Sequence, residues 1–300
     1  MNILIALFPS VALIAMGFLL KRSQFIKDEF WGNSEKLNYF IFFPVLLFLN
    51  IAHVELDLHT ISKILAVLMI VTLLACIALW SGRKYWAVPV QRFGVYVQSH
   101  IRFNTYIGLS LMGALFGAQG MQMFAMLIAV AIPLMNVISV LSFSEGGLRQ
   151  LPKVFKEILK NPLILGCAAG LLFNLSGLHL FSGLNQLLKI LGGMSLPLGL
   201  LSVGAALQFH QMRLDVFRLG ANTLGRLLLM PAMAFSVSSL LDLNHFERLV
   251  ITVFFALPTA SSSYILTRYY QGDAPLMAGI ISLQTLGFGL SFPLMMLLLH

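Results

Sequence analysis

Residues 101–117 read IRFNTYIGLSLMGALFG and set Arg102, Asn104, Thr105, Gly108 and Ser110 into an otherwise apolar run. A second interruption lies in ALPTASSSYILTR, residues 256–268, where Pro258 is followed by Thr259, Ser261, Ser262 and Ser263. Counted from Phe93, Asn104 lies about 16 Å along a helix rising 1.5 Å per residue, and counted from Arg248, Pro258 lies about 15 Å along. Each depth is about half of a ~30 Å hydrocarbon core. Proline removes an N–H and blocks a preceding carbonyl, while glycine and clustered hydroxyls let the chain unwind. Backbone freed at that depth is tolerated only against protein, water, an ion or a solute. A proline kink with hydroxyls bonded back to the helix is the alternative for one span. Recurrence in two spans favours two broken helices that cross.

The rest of the chain supplies the bilayer. Of 300 residues, 59% are hydrophobic and 10% charged, against about a quarter charged in soluble domains. Mean hydropathy is +0.90. Such a chain needs lipid as solvent, and a soluble monomer is excluded. Apolar runs at about 3–20, 37–52, 61–80, 93–117, 121–143, 161–178, 190–208, 219–240, 248–268 and 275–299 predict ten spans. The first run is read as a span and not a signal peptide, because Lys21 and Arg22 follow its apolar stretch. Cys76 and Cys167 sit in apolar runs, without any spaced Cys/His cluster, and are expected to be packing residues.

The net charge of +8 follows from topology, with no need for nucleic acid as a partner. Fourteen Lys and Arg fall in the odd-numbered connections and three in the even-numbered ones (Lys63, Lys189 and Arg248), with none in either tail. The odd connections are therefore predicted cytoplasmic, which places both termini on the opposite face, periplasmic in a bacterial inner membrane.

An internal repeat appears at an offset of 153. FPSVALIAMGFLL (8–20) aligns with NPLILGCAAGLLF (161–173), pairing Pro9 with Pro162 and Gly17 with Gly170. KLNYFIFFPVLLFLNIA (36–52) aligns with KILGGMSLPLGLLSVGA (189–205), pairing Lys36 with Lys189 and Pro44 with Pro197. Five spans per half make the repeats inverted, an arrangement that gives outward- and inward-open states of similar energy. The expected fold class is all-α and polytopic: ten transmembrane helices in two inverted five-helix repeats, 1–143 and 161–300, with broken, crossing helices 4 and 9. A basic, partly helical cytoplasmic connector at 144–160, within SEGGLRQLPKVFKEILKN, joins the repeats.

Site residues follow from depth and polarity. No Asp or Glu is placed in a span core, so Arg102 at mid-membrane is read as attracting an anionic solute, with snorkelling as its alternative. Arg226 is shallower, and snorkelling is the expected role there, although it stays among the candidates. Asn136, Gln284 and Thr285, together with Asn222, are expected to bond between helices and could supply ligands. Tyr106 completes the first interruption. Without buried carboxylates a carboxylate proton relay is disfavoured; carbonyls and amides alone can still hold sodium, so the coupling ion, sodium or proton, stays open. The histidines, His100 among them, are placed at connections or span ends away from buried carboxylates, which argues against an embedded enzyme. A passive channel remains the other alternative.

FWGNSEKLNYFIFFPVLLFLNIA (30–52), RFNTYIGLSLMGALFG (102–117), NPLILGCAAGLLFNLSGL (161–178), LPLGLLSVGAAL (196–207) and LPTASSSYILTRYYQGDA (257–274) together resemble, in order, conserved blocks of the auxin efflux carrier family, within the bile acid/arsenite/riboflavin transporter superfamily. The resemblance implies a scaffold from spans 1, 2, 6 and 7, with its outer face a candidate homodimer surface. It implies a transport domain from spans 3–5 and 8–10, crossing breaks at Asn104 and Pro258, a solute beside the crossing, and elevator-like movement. Bacterial relatives are associated with small carboxylates such as malonate or malate and plant relatives with auxin, no cofactor being implied. Where the family often has Pro after the first crossover glycine this chain has Leu109 and Ser110, and where Asn often follows the second it has Ser261 and Ser262.

Overall fold

The computed structural model describes residues 3–54, 58–143, 152, 156, 158–213 and 216–299; most of the predicted connector at 144–160 lies outside the described residues. In chain order the main helices are α1 (Ile3–Arg22), α2 (Asp28–Leu37), α3 (Phe43–Ala52), α4 (Leu58–Trp86), α5 (Val90–Ile101) and α6 (Thr105–Ser142). They continue with α7 (Pro162–Ser176), α8 (Ser182–Gly193), α9 (Ser195–Ala205), α10 (Val216–Leu224), α11 (Met230–Leu240), α12 (His245–Ala256), α13 (Ser262–Tyr269) and α14 (Ala274–Leu299). No strand occurs among the described residues. Seven helical runs among them are long and apolar enough to cross a membrane. Large apolar side chains turn outward, Leu172 at 69%, Leu290 at 75% and Leu298 at 86% exposure. Water would penalise each of these and lipid does not, so the chain is a polytopic integral membrane protein.

Several boundaries differ from the expected ones. The second apolar run is helical from Asp28 to Ala52, nine residues earlier than predicted, because its polar first turns remain helical and pass through a π-helical turn at Asn38–Phe42. The seventh begins at Ser182 and ends at Ala205. No loop separates the fourth run from the fifth. Gly117 alone, at φ +60° and ψ −146°, interrupts α6, a conformation open to glycine and strained for residues with a Cβ.

The chain divides into two compact units. The first comprises Met1–Leu56, Leu109–Pro133 and Phe155–Ala206. Within it α1 packs on α9 and α3 on α7. Both pairs approach until helix backbones touch. A Cβ at Gly17 would stand 2.0 Å from the Leu201 carbonyl oxygen and one at Gly204 1.8 Å from that of Ile14; in the other pair, a Cβ at Gly170 would stand 2.9 Å from the Phe48 oxygen. Gly17 and Gly170 are 153 residues apart, as are Leu201 and Phe48, so the two contacts exchange equivalent positions. Asn174 donates from Nδ2 to the carbonyls of Ile51, Ala52 and Val54, satisfying the end of α3. Asn38 donates to the Ser195 carbonyl at 3.0 Å, where α8 gives way to α9.

The second unit comprises Asp57–Gly108, Leu134–Val154 and Leu207–His300. In it α11 and α12 pack on α4, and α5, α10 and α13 pack on α14. A capping box starts α12: Asn244 Oδ1 accepts from Glu247 N at 2.9 Å and Glu247 Oε2 from Asn244 N at 3.0 Å. Arg92 Nε donates to Asp273 Oδ2 at 2.9 Å, tying the start of α5 to that of α14.

Because a single methyl group at Gly204 would overlap backbone, Gly204→Ala is expected to cost about 1–3 kcal/mol through overpacking. A thermal-denaturation scan of detergent-purified protein should show a loss of several degrees for Gly204→Ala and none for Gly193→Ala, which meets no atom within 4 Å.

Candidate functional site

The second unit holds both helix breaks, at 102–104 and 257–261. The helix α5 stops at Ile101, residues 102–104 are extended, and α6 begins at Thr105. The helix α12 stops at Ala256 and α13 begins at Ser262. The two breaks meet directly, with Asn104 N donating to the Pro258 carbonyl at 2.8 Å. Asn104 Oδ1 then accepts from Tyr106 N and Ile107 N, both at 3.1 Å, and so caps the start of α6.

Behind the contact lies a buried network of neutral groups. Thr259 N donates to Gln284 Oε1 at 2.9 Å. Gln284 Nε2 donates to Asn222 Oδ1 at 2.9 Å and to the Ser99 carbonyl at 3.4 Å, and Asn222 Nδ2 donates to Ser99 Oγ at 2.8 Å. Gln98 Nε2 donates to Thr267 Oγ1 at 3.0 Å. Asn104, Thr259, Gln284, Gln98 and Ser99 are all buried. These amides act between helices, as expected for Asn222 and Gln284. Thr285 does not: its hydroxyl donates to Ile281 O at 2.7 Å, in its own helix.

The outer part of the cluster is half-buried. Arg102 donates from Nη1 to Asn136 Oδ1 at 3.0 Å and from Nη2 to Ser262 Oγ at 3.1 Å. Ser262 is the first residue of α13, whose N-cap, Ser261, makes no side-chain cap bond. Arg102, Asn136, Ser261, Ser262, Thr105 and Tyr106 all keep intermediate exposure, whereas Gly108 and Ser263 are buried. Ser110 belongs to the first unit, where its hydroxyl lies 2.9 Å from that of Ser10.

Arg226 departs most from expectation. Snorkelling would leave its guanidinium at the headgroups, yet the side chain is 0% exposed. Its Nε donates to the Leu257 carbonyl at 2.8 Å and its Nη1 to the His100 carbonyl. Counting depth from the end of a span misplaces it because the two acceptors come from distant elements, the ends of α5 and α12. His100 is misplaced as well: it lies in the last turn of α5, its Nδ1 2.9 Å from Tyr96 O, and a Cβ on Gly225 would come within 2.7 Å of its Nε2. Gln98, Ser99 and Thr267 were absent from the sequence-derived set. The polar run Gln98–Ser99–His100 just before Arg102 was the available signal.

Elsewhere in the second unit an apolar cleft of about 360 Å³ is lined by Met69, Leu73, Ile77 and Trp80 among others, and by none of the predicted site residues. Among the described residues no cluster of His, Cys, Asp and Glu could hold a metal ion.

An integral membrane protein whose buried polar cluster is assembled from two discontinuous helices has the organisation of a solute transporter. A family model described as "Membrane transport protein" matches residues 146–296. The chain belongs to this family, that of the auxin efflux carriers whose motifs it resembles, and is a transporter and not an enzyme. It is 24% identical over 285 residues to an uncharacterized transporter of Methanocaldococcus jannaschii, covering 91% of each chain. It is 23% identical over 289 residues to an uncharacterized transporter of Methanothermobacter thermautotrophicus, covering 95% of this chain and 94% of the relative.

The network ranks its members. Gln284→Leu strands the Thr259 N–H and Asn222 Oδ1, each a buried group worth about 1–3 kcal/mol when left unsatisfied. Thr285→Val removes only a back-bond within one helix. Thermal denaturation should therefore show Gln284→Leu to be clearly the less stable, and equal midpoints would refute the assigned partners.

Proposed function

We propose that the protein is a secondary active transporter of a small organic anion, of carboxylate type, across the cytoplasmic membrane. The observation that carries this is the position of Arg102: its guanidinium bridges Asn136 and Ser262 while keeping partial exposure. A guanidinium presents a planar fork of donors matched to a carboxylate. The N-terminus of α13 adds a partial positive charge at Ser262. Both favour an anion, and neither Asn136 nor Ser262 carries a charge that would compete with one.

The wider architecture of the proposal is ten spans in two inverted five-helix repeats, with both termini on the periplasmic face. Support comes from the reciprocal contacts of Gly17 with Leu201 and Gly170 with Phe48, and from breaks at 102–104 and 257–261, which lie near the same offset of 153. In this reading spans 1, 2, 6 and 7 form a static scaffold, and the part of the chain carrying Arg102 moves as a body to alternate access. The candidate dimer surface remains on the scaffold spans.

Counterflow in proteoliposomes tests the function. Vesicles preloaded with unlabelled malonate or malate should accumulate the labelled acid transiently, which a channel cannot do. Arg102→Gln should lower uptake at least tenfold and Arg102→Lys less. Absence of counterflow across a panel of mono- and dicarboxylates, or full activity in Arg102→Gln, would reject the reading.

A further inference from the structure

The breaks leave two helix C-termini inside the second unit. Terminal carbonyls lack intrahelical donors and carry the negative end of the helix dipole. In discontinuous membrane helices such carbonyls are the natural ligands of a coupling sodium ion. Here those of His100, in the last turn of α5, and Leu257, directly after α12, both accept from one side chain, Arg226. Arg226 is fully buried and forms no ion pair among the described residues. Its guanidinium stays protonated in proteins. The unit therefore already holds a monovalent cation where two helix ends converge, attached to the chain by its own side chain.

Local structure supports this placement. Arg226 sits in a π-helical turn, Gly225–Leu229, inserted between α10 and α11. A widened turn of this kind changes the direction in which its side chains leave the helix, and such turns recur at functional sites. The preceding glycine leaves space for the His100 ring, which a Cβ would meet at 2.7 Å. Close approach at Gly225 thus brings the Arg226 backbone against the end of α5. The remaining neighbours in the network, Asn222, Gln284 and Ser99, are neutral, and none of them balances a second cation.

We propose that Arg226 is a built-in counter-cation that occupies the carbonyl site at the crossing, so that the protein binds no sodium there and, on the carrier reading above, transports without sodium coupling. Occupancy rests on geometry alone; only its consequence for coupling depends on the transport function. The two can fail separately, since a cation-binding measurement needs no transported solute and counterflow needs no sodium.

The test uses the full chain purified in detergent. Scintillation-proximity binding of radioactive sodium should give no saturable signal for the wild type, and its thermal midpoint should be the same in sodium and choline chloride at equal ionic strength. Arg226→Ala should melt several degrees lower in choline and recover a substantial part of that loss as sodium is added, with saturable sodium binding appearing. Arg226→Lys, which keeps the charge, should remain insensitive to sodium. If Arg226→Ala is not recovered as folded protein, Arg226→Gln takes its place, because its amide fills part of the space without charge. Saturable sodium binding to the wild type overturns the proposal, as does a folded neutral variant equally stable in sodium and choline.

Discussion

A peptide group placed halfway through a bilayer has no water to turn to, and every other feature of the second unit follows from how its helix breaks meet that demand. Each helix end leaves up to four backbone groups without intrahelical partners. Two breaks create four such ends, and the breaks meet where Asn104 N donates to Pro258 O. The α6 start is served by Asn104 Oδ1, and Asn104 O takes Gly108 N at 3.0 Å. At the α5 end, Gln98 O receives Arg102 N, Ser99 O receives Gln284 Nε2 and His100 O receives Arg226. At the α12 end, Leu257 O receives Arg226 and Pro258 O receives Asn104 N. Proline at 258 suits this position, since its nitrogen makes no demand while its carbonyl accepts from the other break.

The four ends are not treated alike. Both C-termini are closed by buried donors, and the α6 N-terminus by a buried asparagine. The start of α13 has only short backbone turns, Ser263 N to Ala260 O and Tyr264 N to Ser261 O, and no side-chain cap. It is also the end that carries Ser262 toward the half-buried Arg102. Structural closure and partial exposure thus separate within one cluster: Gln284 bonds backbone directly and Asn222 and Gln98 link buried side chains, while Arg102, Asn136 and Ser262 keep intermediate exposure.

Much of this was legible in the sequence, for a physical reason. Polar residues and prolines in long apolar runs are costly in lipid, so Asn104, Pro258, Asn222 and Gln284 mark themselves by depth alone. What depth cannot provide is partnership. Arg226 looked shallow enough to reach headgroups, but its acceptors lie 126 and 31 residues away in the chain. Ser110 looked like part of the first interruption, yet its hydroxyl meets Ser10. The run Gln98–Ser99–His100 lies inside the predicted fourth span without being singled out, and it forms the last turn of a helix that stops inside the protein. Boundaries failed for a related reason: Gly117 replaces an expected loop with one residue, and hydropathy windows do not resolve a single backbone angle.

The two arginines illustrate how burial divides the roles of one residue type. A guanidinium between two helix C-termini, sealed from solvent, neutralises partial negative charge that would otherwise stay uncompensated, and its removal leaves two carbonyls without donors. A guanidinium resting on a neutral amide and a hydroxyl, beside a helix N-terminus and partly exposed, adds positive charge where some is already present. The first arrangement satisfies Nε and Nη1 with backbone carbonyls and leaves Nη2 buried without a partner among the described residues. The second keeps its guanidinium partly exposed beside a helix N-terminus, an arrangement that on the proposed reading attracts an anion from outside the protein. Exchanging the environments would reverse the burial, so local backbone direction decides which arginine is sealed between helix ends and which keeps partial exposure.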